Sequence, residues 1–151
     1  MQGLEHLSLG FDKNTMTADI SDSGYERFQT TNLSFVAKVV AVILKNPAQA
    51  SNKYITIASF NISQKEILAL AEKVSGKKWT LKSCKVDDVQ RAAEKDLANG
   101  NIEAAFYPLL HGRLFRDGAD LSLQPGQNFA QEVLGFSEED PVDAIKGWLE
   151  K

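Results

Sequence analysis

The segment Phe106-Tyr107-Pro108-Leu109-Leu110-His111-Gly112-Arg113-Leu114-Phe115 gathers aromatic rings, an imidazole, a guanidinium and a backbone-disturbing proline in ten residues. Apolar walls carrying a few polar groups suit a small-molecule pocket, and His111 is the side chain best able to exchange a proton near neutral pH. The same residue types also fit a plainer arrangement, with Phe106 and Phe115 in the core, Tyr107 a surface aromatic and His111 an ordinary partly buried histidine. Cys84, the single cysteine, is a nucleophile by type with His111 as a conceivable base. A cysteine closing an alternating strand is, however, more often a small buried side chain. The run Glu138-Glu139-Asp140 reads as an acidic helix entrance, favoured by the positive end of the helix dipole, rather than as a pair of catalytic carboxylates.

Other chemistries lack their parts. A diphosphate-binding loop needs closely spaced glycines between a strand and a helix, so that backbone amides can approach the anion. The ten glycines here are scattered, and no nucleotide cofactor is expected on this chain. His6 and His111 stand far apart, and neither belongs to a short cluster with Cys, Asp or Glu, so no metal is expected. The 17 basic residues are spread among 20 acids, for a net charge of −3, which argues against nucleic acid as a partner. One cysteine cannot form an internal disulfide. Met1 to Leu7 lack the basic start and apolar run of a signal peptide, and no stretch approaches the roughly 20 apolar residues of a membrane span. A cytoplasmic protein without membrane contact is the resulting expectation. At 151 residues with 43% hydrophobic content, the chain suits one globular domain over 1–151.

The elements that must position these groups are visible in the hydrophobic pattern. Met16, Ala18 and Ile20 alternate with polar residues, and Asp22-Ser23-Gly24 supplies a turn, giving an opening hairpin or strand pair. Thr31 or Asn32 caps a helix over 32–46 in which Leu33, Val36, Ala37, Val40, Ile43 and Leu44 recur at helical spacing. Phe35, Val39 and Val42 widen that stripe, so this helix needs apolar cover on more than one side. Tyr54-Ile55-Thr56-Ile57-Ala58 has the β-branched and aromatic content of a core strand. Ser63-Gln64-Lys65-Glu66 is a capping box opening a helix that Gly76 ends, and Trp79 to Cys84 alternate as a strand. A helix carrying Val86, Val89, Ala93 and Leu97 follows, ending near Asn99-Gly100. A helix with Ile102, Ala105 and Phe106 comes next, which Pro108 should kink or break. A polar loop containing Pro125-Gly126 leads to a short helix with Phe129, Val133 and Leu134. Asp140-Pro141 starts the last helix, with Val142, Ile145, Trp148 and Leu149 inward.

Read in order, Thr30 to Pro47, Asn52 to Phe60, Ser63 to Leu68 and Gly76 to Trp79 resemble the NmrA-like and isoflavone-reductase-like family of atypical short-chain dehydrogenases/reductases. Gly10-Phe11-Asp12 and the stretch from Asn101 to Leu114 resemble its fungal members. The resemblance spans nearly the whole chain but only the C-terminal, substrate-side half of the family. It implies an α+β fold, with a small mixed sheet of about three to five strands packed with five or six helices. The family's glycine-rich nucleotide loop and its catalytic lysine, where one is used, have no position here to receive them. What the resemblance implies for function is a small aromatic or polyketide-like substrate held by Phe106, Leu110 and Phe115. His111 would move a proton while Tyr107 or Arg113 polarises an oxygen, as in a cofactor-independent isomerase, cyclase or lyase rather than a self-contained NAD(P)-dependent oxidoreductase. The alternatives are the substrate-binding half of an NADPH-dependent reductase and a non-enzymatic regulatory module. The widely apolar helix over 32–46, or an adjacent sheet edge, is expected to pair two copies in a homodimer.

Overall fold

The computed structural model describes residues 9–119, 121, 130–136 and 139–150. Met1 to Leu7, the Pro125-Gly126 loop, Phe129 and Glu138 lie outside the described residues. In chain order the elements are β1 (Phe11–Asp12), β2 (Thr17–Ser21), β3 (Arg27–Thr30), α1 (Leu33–Lys45), α2 (Pro47–Ala50), β4 (Phe60–Ser63), α3 (Gln64–Ser75), β5 (Thr80–Cys84), α4 (Val86–Ala98), α5 (Ile102–Phe115), α6 (Ala130–Leu134) and α7 (Pro141–Leu149). The fold is α+β, as expected, and the five strands among the described residues are divided between two sheets. One is mixed, in the order β1-β2-β5; the other is the antiparallel pair β3-β4.

The β1–β2 hairpin forms because Asp12 holds its turn. Its carboxylate accepts the Asn14 amide at 2.9 Å and the Thr15 hydroxyl at 2.8 Å, and the Thr15 bond, then the Asn14 amide, hold this carboxyl below the usual carboxylate range. β2 turns Ala18 and Ile20 into the core and runs parallel to β5, with Thr17 opposite Thr80 and Ser21 opposite Cys84. The main core joins Phe11, Phe28, Ile67, Trp79, Phe115, Ile145 and Trp148; a satellite cluster sets Phe35 and Val39 against Ala130. The capping box is present as predicted: the Ser63 hydroxyl accepts the Glu66 amide and the Glu66 carboxylate accepts the Ser63 amide. Gly76 closes α3 at φ 65°.

Gln64, the first residue of α3, is fully buried and pins the two layers together. Its Oε1 accepts the Ser21 amide at 2.9 Å, while Nε2 donates to the carbonyls of Leu9 at 3.0 Å and Asp19 at 3.1 Å. Gly10 is required beside it: at φ +85° an added Cβ would overlap the Asp19 carbonyl oxygen.

Three expectations are corrected. Tyr54 to Ala58 form no strand; Tyr54 is 95% exposed, and the strand lies later, at Phe60–Ser63, paired with Arg27–Thr30. That register places the buried Phe28 opposite the buried Ile62, a packing that β-propensity at 54–58 could not foresee. In α1 the buried side carries Phe35 and Val39, whereas Leu33, Ala37, Val40 and Leu44 from the expected stripe are exposed. Finally, of the kink or break expected at Pro108, the break does not occur: α5 runs through it from Ile102 to Phe115. The carbonyl deprived of its donor is that of Ala104, an exposed residue, so water can take the place of the lost bond.

Candidate functional site

The parallel pair β2–β5 ends at Ser21 and Cys84, which face each other in register. Crevices outside the carboxyl ends of parallel strands are where open α/β sheets bind ligands, because loops and helix N-termini converge there. Ser21 is fully buried, and its Oγ lies 3.3 Å from the Cys84 Sγ. The same Oγ is 3.5 Å from both ring nitrogens of His111, at the outer limit of hydrogen bonding. Asp22, at φ 46°, follows directly. Its amide donates to the Cys84 carbonyl at 3.0 Å, and its Oδ1 accepts the Val86 amide at 3.1 Å, capping α4 from another element.

α5 delivers His111 to this point. Its Gly112 lies where an added Cβ would stand 3.4 Å from the Val86 side chain, so α5 packs closely on α4. One turn beyond His111, Phe115 anchors the helix: the imidazole meets its ring edge-on at 4.5 Å, and Phe115 in turn meets Phe28 at 5.0 Å. Burial pulls the His111 pKa below its ordinary 6.5, with the Asp19 carboxylate opposing the shift. The ring is therefore neutral at pH 7, with one nitrogen available as a proton acceptor.

Of the six predicted site residues, the structure brings His111 and Phe115 together. Tyr107, one turn before His111 on α5, is exposed and packs against Phe106 at 5.3 Å between ring centroids. Phe106, Leu110 and Arg113 face outward with Ile102, and among the described residues no hydrogen bond joins Tyr107 or Arg113 to His111. Ser21 was missed: a serine before a turn has no distinguishing signal, and only the pairing of β2 with β5 puts it beside Cys84 and His111. Among the described residues no group of three His, Cys, Asp or Glu side chains is placed to hold a metal ion.

The helix N-termini that follow strands do not fit a dinucleotide. At α3 the Ser63 hydroxyl takes the Glu66 amide and the Gly24 carbonyl that of Lys65, with the Glu66 carboxylate on the Ser63 amide, and at α4 the Asp22 carboxylate takes the Val86 amide. A diphosphate at either end would meet a carboxylate of like charge. No glycine lies between β3 and α1 to admit one there.

No family model matches the chain. It is 32% identical over 89 residues to the oxidoreductase poxI of Penicillium oxalicum, covering 59% of this chain and 26% of that protein. With the oxidoreductase aprR of Aspergillus flavus it shares 28% identity over 94 residues, 62% of this chain and 32% of that one. Among solved structures it resembles an isoflavone reductase, with a TM-score of 0.65 and 16% identity over 87% of this chain and 43% of the other. A leucoanthocyanidin reductase–NADPH complex from Vitis vinifera superposes with a TM-score of 0.63 and 15% identity, over 88% and 44%. The chain thus spans less than half the length of these relatives. Among the described residues no helix is long and apolar enough to cross a membrane.

Proposed function

We propose, from the premise that the chain belongs to the NmrA-like and isoflavone-reductase-like family, that it binds a small aromatic or polyketide-like molecule beside α5 and exchanges a proton with it through His111. The observation that carries this reading is a neutral, half-buried imidazole set at the carboxyl ends of β2 and β5, next to two further proton-bearing groups, Ser21 and Cys84. A base of this kind removes a proton adjacent to a carbonyl and returns it elsewhere, the step shared by isomerases, cyclases and lyases. Tyr107, one turn before His111 on α5, would be the group that polarises the substrate oxygen, with Phe115 as the apolar contact; Phe106, Leu110 and Arg113 stand on the outward side of the helix.

The proton transfer can be measured directly, whichever of these reactions it belongs to. A panel of aromatic ketones in D2O, followed by proton NMR, should show protein-dependent exchange at the carbon next to the carbonyl. His111→Gln should slow it by about a hundredfold, the usual scale of general-base catalysis. Exchange unaffected by His111→Gln, or none across the panel, refutes the assignment.

A second reading is favoured by the outward side of α5, where Ile102, Phe106, Tyr107 and Leu110 leave apolar surface uncovered. In that reading the chain is the substrate-binding part of a reductase whose nucleotide-binding part supplies both NADPH and the missing cover. Proton exchange by this chain alone favours the first reading over the second, while micromolar NADPH binding by this chain alone, measured by calorimetric titration, contradicts both. The exposed stripe of α1 is the proposed contact between two copies in a homodimer.

A further inference from the structure

A hollow of about 550 Å³ that shares no residue with the His111 site lies where the β1–β2 turn meets the C-terminal ends of α3 and α7. Its floor is apolar: Met16, Val74 and Leu149 pack against the main core cluster, which contains both tryptophans of the chain, Trp79 and Trp148. Its rim is basic. Among the described residues, Lys13, Lys77 and Lys146 border it against one carboxylate, Glu150, in a chain whose formal charge is −3. Lys13 is held there by a 2.9 Å bond from its Nζ to the Trp148 carbonyl, and Lys146 stands 4.0 Å from Glu150.

Helix C-termini attract cations, which accounts for Lys146 near the end of α7. The same attraction accounts for Lys13, bonded to the Trp148 carbonyl in the last turn of α7, and for Lys77, just past the end of α3; what it does not account for is the apolar surface that the three leave open to solvent. A bare inorganic anion would gain nothing from Met16, Val74 and Leu149, and a neutral hydrocarbon would gain nothing from the lysines. A molecule carrying both features uses the whole hollow.

We infer that this groove binds a small organic carboxylate with an apolar body, its carboxylate among Lys13, Lys77 and Lys146 and its body on Met16, Val74 and Leu149. This assignment is independent of the proton-transfer role of His111.

The probe is 4-phenylbutyrate, titrated while following the emission of Trp79 and Trp148, which lie in the core beneath the floor and remote in sequence from α5. A saturable change is expected, with affinity at least about tenfold weaker for the double variant Lys77→Glu/Lys146→Glu, whose charge reversals sit at the exposed rim and spare the core. The uncharged 4-phenylbutanamide should lose affinity by a similar factor, and inorganic phosphate should compete only weakly. The inference is overturned by equal binding of acid and amide, by phosphate competing as strongly as 4-phenylbutyrate, by unchanged affinity in the double variant, or by no saturable signal.

Discussion

His111 is held neutral because the free energy of charging an imidazole rises as water is removed from around it. The consequence for stability has a definite sign. With the folded pKa below the ordinary 6.5, the unfolded chain binds the proton more readily, so stability rises with pH between the two values. It is complete above about pH 6.5 and is lost as the pH falls through the folded pKa. His111→Gln should therefore flatten the fall of the urea midpoint as the pH drops below about 6.5, relative to the wild type. An unchanged slope would mean that His111 is solvated. Its neighbour gives a second test: Ser21→Ala removes a hydroxyl buried between Cys84 and His111, and should cost about 1 kcal/mol by denaturant titration. At this scale the sequence marked out one segment by residue type but could not show which of its side chains turn inward. Residues 106–115 stood out by type, yet the phase of α5 decided that His111 and Phe115 point inward while Phe106, Leu110 and Arg113 point out. Ser21 became visible only through a strand pairing across 63 positions of chain.

Elements defined by local chemistry were legible for the same reason that they are autonomous. The capping box at Ser63 and Glu66, the left-handed Gly76 and the alternation through β2 act over a few residues each, and each appears where the sequence placed it. The strand expected at 54–58 failed because β-branched content measures only fitness for a pleated, packed surface. The partner β3 offers its register to Phe60–Ser63 instead. Gln64 lies between these cases: a polar residue at the start of a helix invites a solvated reading, but here it satisfies three main-chain groups from two other segments. Gln64→Ala would strand one buried amide and weaken the satisfaction of two carbonyls. A loss of about 3 kcal/mol is expected in urea unfolding, well above the roughly 1 kcal/mol for breaking the part-buried capping box with Glu66→Ala. If the two substitutions cost the same, the pin between α3 and β2 carries no special weight.

Among the described residues, two helices are apolar on both sides. α5 uses Ala105, Gly112 and Phe115 inward and leaves Ile102, Phe106 and Leu110 outward. α1 buries Phe35 and Val39 and leaves Leu33, Ala37, Val40 and Leu44 on one exposed stripe. Helices that are apolar all round are ordinarily enclosed. For α1 the proposed cover is a second copy, and its ends allow a test that leaves the fold intact. Leu33 is the first residue of α1 and Leu44 lies in its last turn, so Leu33→Asp and Leu44→Lys each place a charge where the helix dipole favours it. Together they should leave thermal stability unchanged or raise it by up to about 1 kcal/mol, while removing the apolar contact at both ends of the stripe. Sedimentation equilibrium should then show the wild-type protein as a dimer and the double variant as a monomer. A wild-type protein that stays monomeric at every concentration, or a double variant that dimerises equally well, removes α1 as the contact.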